Sequence, residues 1–212
     1  MPPAAHPLPE EPTPLGSRRK LEVVGRSPTV DLVRAEQAVT DLLASLGQDP
    51  SSEQLLDTPQ RVAASYAELL TPARFALTTF PNDEGYDELV LARAIPFSSL
   101  CQHHLLPFVG VAHVGYLPAD RLLGLSKLAR VVELFARRLQ LQERLTTQVA
   151  DWLHTQLEPK GVGVVLEAEH LCMTLRGVQA TGARTVTSTL HGLLRTDPSS
   201  RQEFLALTRT AT

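Results

Sequence analysis

The order of apolar periods along the chain predicts an α+β fold with mostly antiparallel pairing. Two helical stripes come first, then two β-like runs, two more helices, at least two further strands and a closing helix. The 212 residues, 43% hydrophobic and 20% charged, suffice for one folded domain with a well-buried core.

Residues 1 to 28 are rich in proline, carry a small basic patch at Arg18, Arg19 and Lys20, and lack an apolar period, so a disordered tail is expected. Order is expected from Thr29, a capping residue ahead of Leu32, Ala35, Val39, Leu42 and Leu46, with Gly47 as the stop. Thr58 and Pro59 suit the N-cap and first position of a second helix reaching about Leu70. Arg61 in its first turn opposes the helix dipole, which suits either solvent or an anionic ligand. Residues 71 to 86 read as a loop, residues 88 to 95 as a strand, and residues 108 to 116 as a second strand.

Ser126 is expected to cap a helix carrying Leu128, Val131, Val132, Phe135 and Leu139. Lys127 and Arg130 beside its free amides suit a phosphate, or are ordinary surface cations. A further helix spans residues 141 to 157 and begins with Gln142, Glu143 and Arg144. Strands are expected over residues 162 to 168 and 185 to 190, and Asp197-Pro198 starts the last helix.

A net charge of -3 and a pI near 6.2 argue against general nucleic-acid binding. No apolar run is long enough to span a bilayer, and the N-terminus lacks the layout of a secretory signal. A cytoplasmic location and no membrane partner are therefore expected.

The densest chemistry lies in Cys101-Gln102-His103-His104. Cys101 and His104 stand in a C-x-x-H relation, a spacing that lets a thiolate and an imidazole meet one zinc ion, while His103 is left to move protons. The only other cysteine, Cys172, follows His170; if that segment is extended, His170, Cys172 and Arg176 share one face. The simplest assembly is a zinc site of Cys101, His104 and Cys172, with a fourth position for water. A disulfide between the two cysteines and two unrelated buried thiols are the alternatives, the first disfavoured in a reducing compartment.

Cys101-Gln102-His103-His104-Leu105-Leu106-Pro107-Phe108, Gly124-Leu125-Ser126-Lys127-Leu128-Ala129-Arg130, Gln142-Glu143-Arg144-Leu145 and His170-Leu171-Cys172-Met173 with Arg176-Gly177 resemble the GTP cyclohydrolase I family in order and separation. The likeness runs from about Thr29 to the C-terminus, and implies a catalytic domain over residues 29 to 212. Within it, a helical part would cover residues 29 to 70 and a tunnelling-fold core residues 86 to 212. In that fold an antiparallel sheet has helices packed on one side, and subunit sheets join into a barrel. The resemblance further implies a homodecamer of two pentamers with active sites between subunits, and one zinc per subunit.

The implied enzyme is a hydrolase acting on cyclic amidines. It converts GTP and water into formate and 7,8-dihydroneopterin triphosphate, the first step of tetrahydrofolate or pterin synthesis. The resemblance puts the zinc ligands on Cys101, His104 and Cys172, and the proton-transfer groups on His103 and His170, whose two roles could be exchanged. It puts guanine binding on Glu143 with Gln142 beside it, and the triphosphate on Arg61, Ser126, Lys127, Arg130 and Arg176. Gln102 and Ala64 depart from the family pattern, where many members carry glutamate and some carry lysine. Two rivals are a zinc-free nitrile reductase of the same fold, using Cys101 as nucleophile, and a non-catalytic zinc-stabilised oligomer. The second is opposed by the three-ligand count.

Overall fold

The computed structural model describes residues 19–23 and 29–209. Within the stretch read as a tail, Arg19–Val23 form a strand, β1; the rest of residues 1 to 28 lies outside the described residues. Helix α1, Leu32–Ser45, is capped by Asp31, whose carboxylate accepts from Arg34 N at 3.0 Å, so the cap falls two residues after Thr29. Gly47 then turns the chain at φ 76°. Helix α2, Thr58–Leu69, has Asp57 at the cap position, which moves Thr58 into the helix itself. The Asp57 carboxylate accepts from Arg61 Nη2 at 2.8 Å, so this first-turn cation has a partner.

The stretch read as a loop contains β2, Phe75–Pro81, the middle strand of a small sheet ordered β1-β2-β5, with β5 at Arg121–Leu123. Leu77 and Thr79 are its buried positions. Its partner β5 lies far along the chain, so no local pattern announced the pairing.

The main sheet is ordered β6-β3-β4-β7-β8. Its strands are β3 (Val90–Cys101), β4 (Pro107–Leu117), β6 (Leu139–Gln140), β7 (Gly161–His170) and β8 (Thr185–Gly192). All of its pairings are antiparallel except that of β6 with β3. The expected α+β class and antiparallel character therefore hold. Strand β3 runs six residues beyond its expected end, through a bulge between Ala92 and Ile95, and ends on Cys101 itself.

Helices α3 (Leu125–Ala136) and α4 (Gln142–Leu157) cover one face of this sheet. Leu128, Val132, Leu145, Val149 and Leu153 pack there against Phe108, Val114, Tyr116, Val164 and Leu166. Gly124, not Ser126, occupies the cap position of α3. Tyr116 accepts Leu123 N on its hydroxyl at 2.8 Å and so ties the two sheets together.

The alternate strand positions Leu117, Val165 and Leu190 meet Leu194 of α6 (Leu193–Thr196) and Phe204 of α7 (Pro198–Thr208) on the opposite face. A Cβ on Gly163 would lie 2.6 Å from the Phe204 ring, so this position has room only for glycine. Asp197 caps α7 by accepting Ser200 N at 2.7 Å, as the Asp-Pro pair predicted. No helix among the described residues is long and apolar enough to cross a membrane.

Candidate metal centre and active site

The turn from β3 into β4 carries the first two candidate ligands. Cys101 N donates to Leu106 O at 2.9 Å and Leu105 N donates to Cys101 O at 2.9 Å, closing the turn on itself. Leu105 adopts φ 56°, and its carbonyl accepts the Tyr66 hydroxyl of α2 at 3.1 Å. Cys101 Sγ and His104 Nδ1 end 3.8 Å apart.

The second segment comes from β7, whose last residue, His170, pairs with Phe108. Beyond it the chain is not extended: Leu171–Thr174 form a short helical turn, α5. Cys172 therefore reaches the site from a helical turn, and His170 from a strand end. The shared strand face expected of His170, Cys172 and Arg176 is replaced by this strand-to-turn corner.

The ligand atoms of Cys101, His104 and Cys172 all lie within 4.8 Å of one another. A tetrahedral zinc ion with ordinary Zn–S and Zn–N bonds separates its sulfur and nitrogen ligands by roughly 3.5 Å, so two thiols and an imidazole at these spacings fit that ion. Both cysteines are buried and free, which removes the disulfide alternative. Burial pushes the Cys172 thiol up, and the neighbouring Cys101 thiol adds to the effect. Arg176 Nη1 lies 3.4 Å from His104 Nε2 and 3.5 Å from Cys172 O.

Beside this group His170 is stacked on Phe108, with ring centroids 4.7 Å apart and planes 3° from parallel. Its Nε2 lies 2.7 Å from Gln142 Oε1. Burial holds its pKa below the ordinary histidine value, opposed by the nearby Glu143 carboxylate. The exposed His103 ring stands edge-on to His104 at 6.2 Å. Glu143 is exposed in the first turn of α4.

Arg144 lies in the Gln142-Glu143-Arg144-Leu145 motif, whose resemblance gives it no role. Its guanidinium donates to Gln102 Oε1 at 2.8 Å, Gln140 Oε1 at 2.8 Å and Leu139 O at 2.7 Å. It thereby ties the start of α4 to the residue between Cys101 and His103. Phe108, the last residue of the motif that begins at Cys101, and Tyr66, an apolar position of α2, also support the site. Arg130 pairs with Glu133 at 3.1 Å on α3. Among the described residues, no hydrogen bond or ion pair joins Ser126, Lys127, Arg130 or Arg61 to the three candidate ligands.

A profile of the family described as GTP cyclohydrolase I matches residues 35–209. The chain belongs to the GTP cyclohydrolase I family. Proteins named GTP cyclohydrolase 1 resemble it over most of its length. That of Thermoanaerobacter pseudethanolicus is 51% identical over 183 residues, covering 84% of this chain and 97% of its own. That of Mycolicibacterium gilvum is 54% identical over 187 residues, covering 85% and 92%. That of Aquifex aeolicus is 49% identical over 180 residues, covering 85% and 98%. The span matched to the GTP cyclohydrolase I family includes every candidate site residue, from Arg61 to Arg176.

Proposed function

We propose that this protein is a zinc-dependent GTP cyclohydrolase I, which hydrolyses GTP at C8 of guanine and yields formate and 7,8-dihydroneopterin triphosphate. The observation that carries the proposal is the convergence of two thiols and an imidazole, from segments about 70 residues apart, beside the half-buried His170. Cys101, His104 and Cys172 would hold one zinc per subunit. Bound there, zinc supplies Lewis acidity that makes water nucleophilic near neutral pH.

The remaining chemistry belongs to the chain's own side chains. His170, an imidazole beside the candidate ligands, gives N7 of guanine the proton it gains as the ring opens. His103, exposed beside His104, serves the later rearrangement of the ribose. Glu143 accepts the ring N–H and exocyclic amine of guanine, a pair adenine lacks, and so selects the base. Arg176, Arg61, Ser126, Lys127 and Arg130 hold the triphosphate, and remote binding energy then orients the ring.

Ser126, Lys127 and Arg130 have no described link to the metal group of their own chain, so we assign them to the site of a neighbouring subunit. The sheet supports this arrangement. Strand β8 lies at one edge, and β6 covers only Leu100 and Cys101 of β3 at the other, so both edges can join further copies into the barrel of a tunnelling-fold decamer. A cytoplasmic site of action and a place at the start of tetrahydrofolate or pterin synthesis follow from the same reading.

The test is product formation from paired nucleotides. Incubation with GTP, followed by oxidation, should yield a fluorescent pterin, and incubation with ATP should not. No pterin from GTP, or equal turnover of both, would contradict the proposal.

A further inference from the structure

We propose that Gln142 acts through His170 rather than on guanine, its buried amide fixing the neutral imidazole as the Nε2–H tautomer, so that Nδ1 takes up and gives back the proton. The catalytic half of this inference rests on the assignment of His170 as the proton donor to N7. The tautomer itself rests only on hydrogen-bond geometry.

Gln142 opens α4 and is 2% exposed. Its amide nitrogen lies 3.2 Å from Leu166 O, 2.9 Å from Thr185 O and 3.2 Å from Thr187 Oγ1. The two carbonyls can only accept. The Thr187 hydroxyl is settled by its neighbour Thr146, which donates its single hydrogen to the main-chain carbonyl of Gln142 at 2.7 Å. At the 2.6 Å contact between the two hydroxyls, Thr187 must therefore donate, which leaves its lone pairs for Gln142.

All three neighbours of the amide nitrogen are thus acceptors. Turning the amide over would set its oxygen against them and leave buried acceptors without hydrogens, an arrangement that costs far more than the observed one. Oε1 must face His170, and at 2.7 Å His170 Nε2 must carry a hydrogen to meet it. The flat stack on Phe108 holds the ring plane while the amide sets its proton. A neutral imidazole has one ring hydrogen, so Nδ1 keeps a lone pair, and among the described residues Nδ1 has no hydrogen-bond partner.

The proton balance follows. The neutral ring takes a proton from solvent water on Nδ1, so that both nitrogens of the imidazolium carry hydrogen, and the one on Nε2 stays in its bond to Gln142. The one on Nδ1 passes to N7, which gains it, and the ring returns to the neutral Nε2–H form. Gln142 is thus a positioning residue, and the backbone of β7 and β8 sets which nitrogen reacts.

Neutron diffraction from deuterium-exchanged crystals of the wild-type protein at neutral pD tests the tautomer. Deuterium on His170 Nε2 with a bare Nδ1 is expected; deuterium on Nδ1 would overturn the proposal. Gln142→Met, similar in size and unable to accept this bond, tests the consequence. It should lower kcat roughly ten-fold or more with KM for GTP held within about three-fold. A raised KM with unchanged kcat would overturn the proposal in favour of a guanine contact. If the variant fails to assemble, the wild-type neutron result still decides the tautomer. Absence of turnover in the wild-type protein would defeat the functional reading and leave the tautomer measurement standing.

Discussion

Cys101 Sγ and His104 Nδ1 lie 3.8 Å apart on a turn whose own main chain holds them there. Cys172 completes the group from a second turn, so loss of any one donor leaves two, too few to hold zinc tightly. Metal analysis of the assembled protein should find one zinc per chain, and Cys172→Ser should lose most of it. Full zinc retention in Cys172→Ser would remove Cys172 from the ligand set.

His170 stands beside those three candidate ligands and is not one of the group. His170→Ala should keep zinc and assembly while formate release falls about 100-fold or more, as expected when a proton donor is lost. Normal turnover by His170→Ala would show that its proton-transfer role is wrong.

Arg144 holds Gln102, Gln140 and the Leu139 carbonyl at once. Arg144→Met should weaken zinc affinity by about 10- to 100-fold, read by competition with a coloured chelator, because the ligand turn loses its outer anchor. Unchanged affinity would mean that the Tyr66 contact and the turn's own bonds suffice.

Phe204 is fully buried over Gly163, where a Cβ would stand 2.6 Å from its ring. Gly163→Ala should cost about 1–3 kcal/mol in denaturant unfolding through overpacking. A midpoint equal to the wild type's would show that α7 can shift freely.

His113 is 1% exposed on β4, and its Nδ1 has no hydrogen-bond partner. Burial holds its pKa below the ordinary value, Arg93 adds to this, and Glu167 opposes it. The unfolded chain therefore binds this proton first. The stability His113 contributes is complete above its unfolded pKa of about 6.5 and is lost as pH falls below it toward the folded value. Between about pH 7.5 and about pH 5.5 the wild type should lose more stability than His113→Leu. Equal losses would show that other groups carry the acid sensitivity.

The candidate metal group was legible because the chain has only two cysteines, each with a histidine within three residues. The α+β order was legible because Leu128 through Phe135 and Leu141 through Leu157 keep helical period, although Leu139, read with the first of these helices, lies in β6. What escaped was what distant segments decide. Strand β2 needs its partners at Arg19–Val23 and Arg121–Leu123 to be a strand at all. The sequence from His170 to Cys172 does not itself decide between an extended path and a turn, and the chain forms a helical turn where the strand's pairing stops. The work of Gln142 and Arg144 lies in bonds to Thr185 and Gln102, more than 40 residues away, which no local spacing reveals.

The most direct measurement is formate release when the zinc-loaded, assembled protein is mixed with GTP. One formate for each GTP consumed, appearing with a pterin product, is the predicted result. GTP bound and returned unchanged, with no formate, would contradict the account.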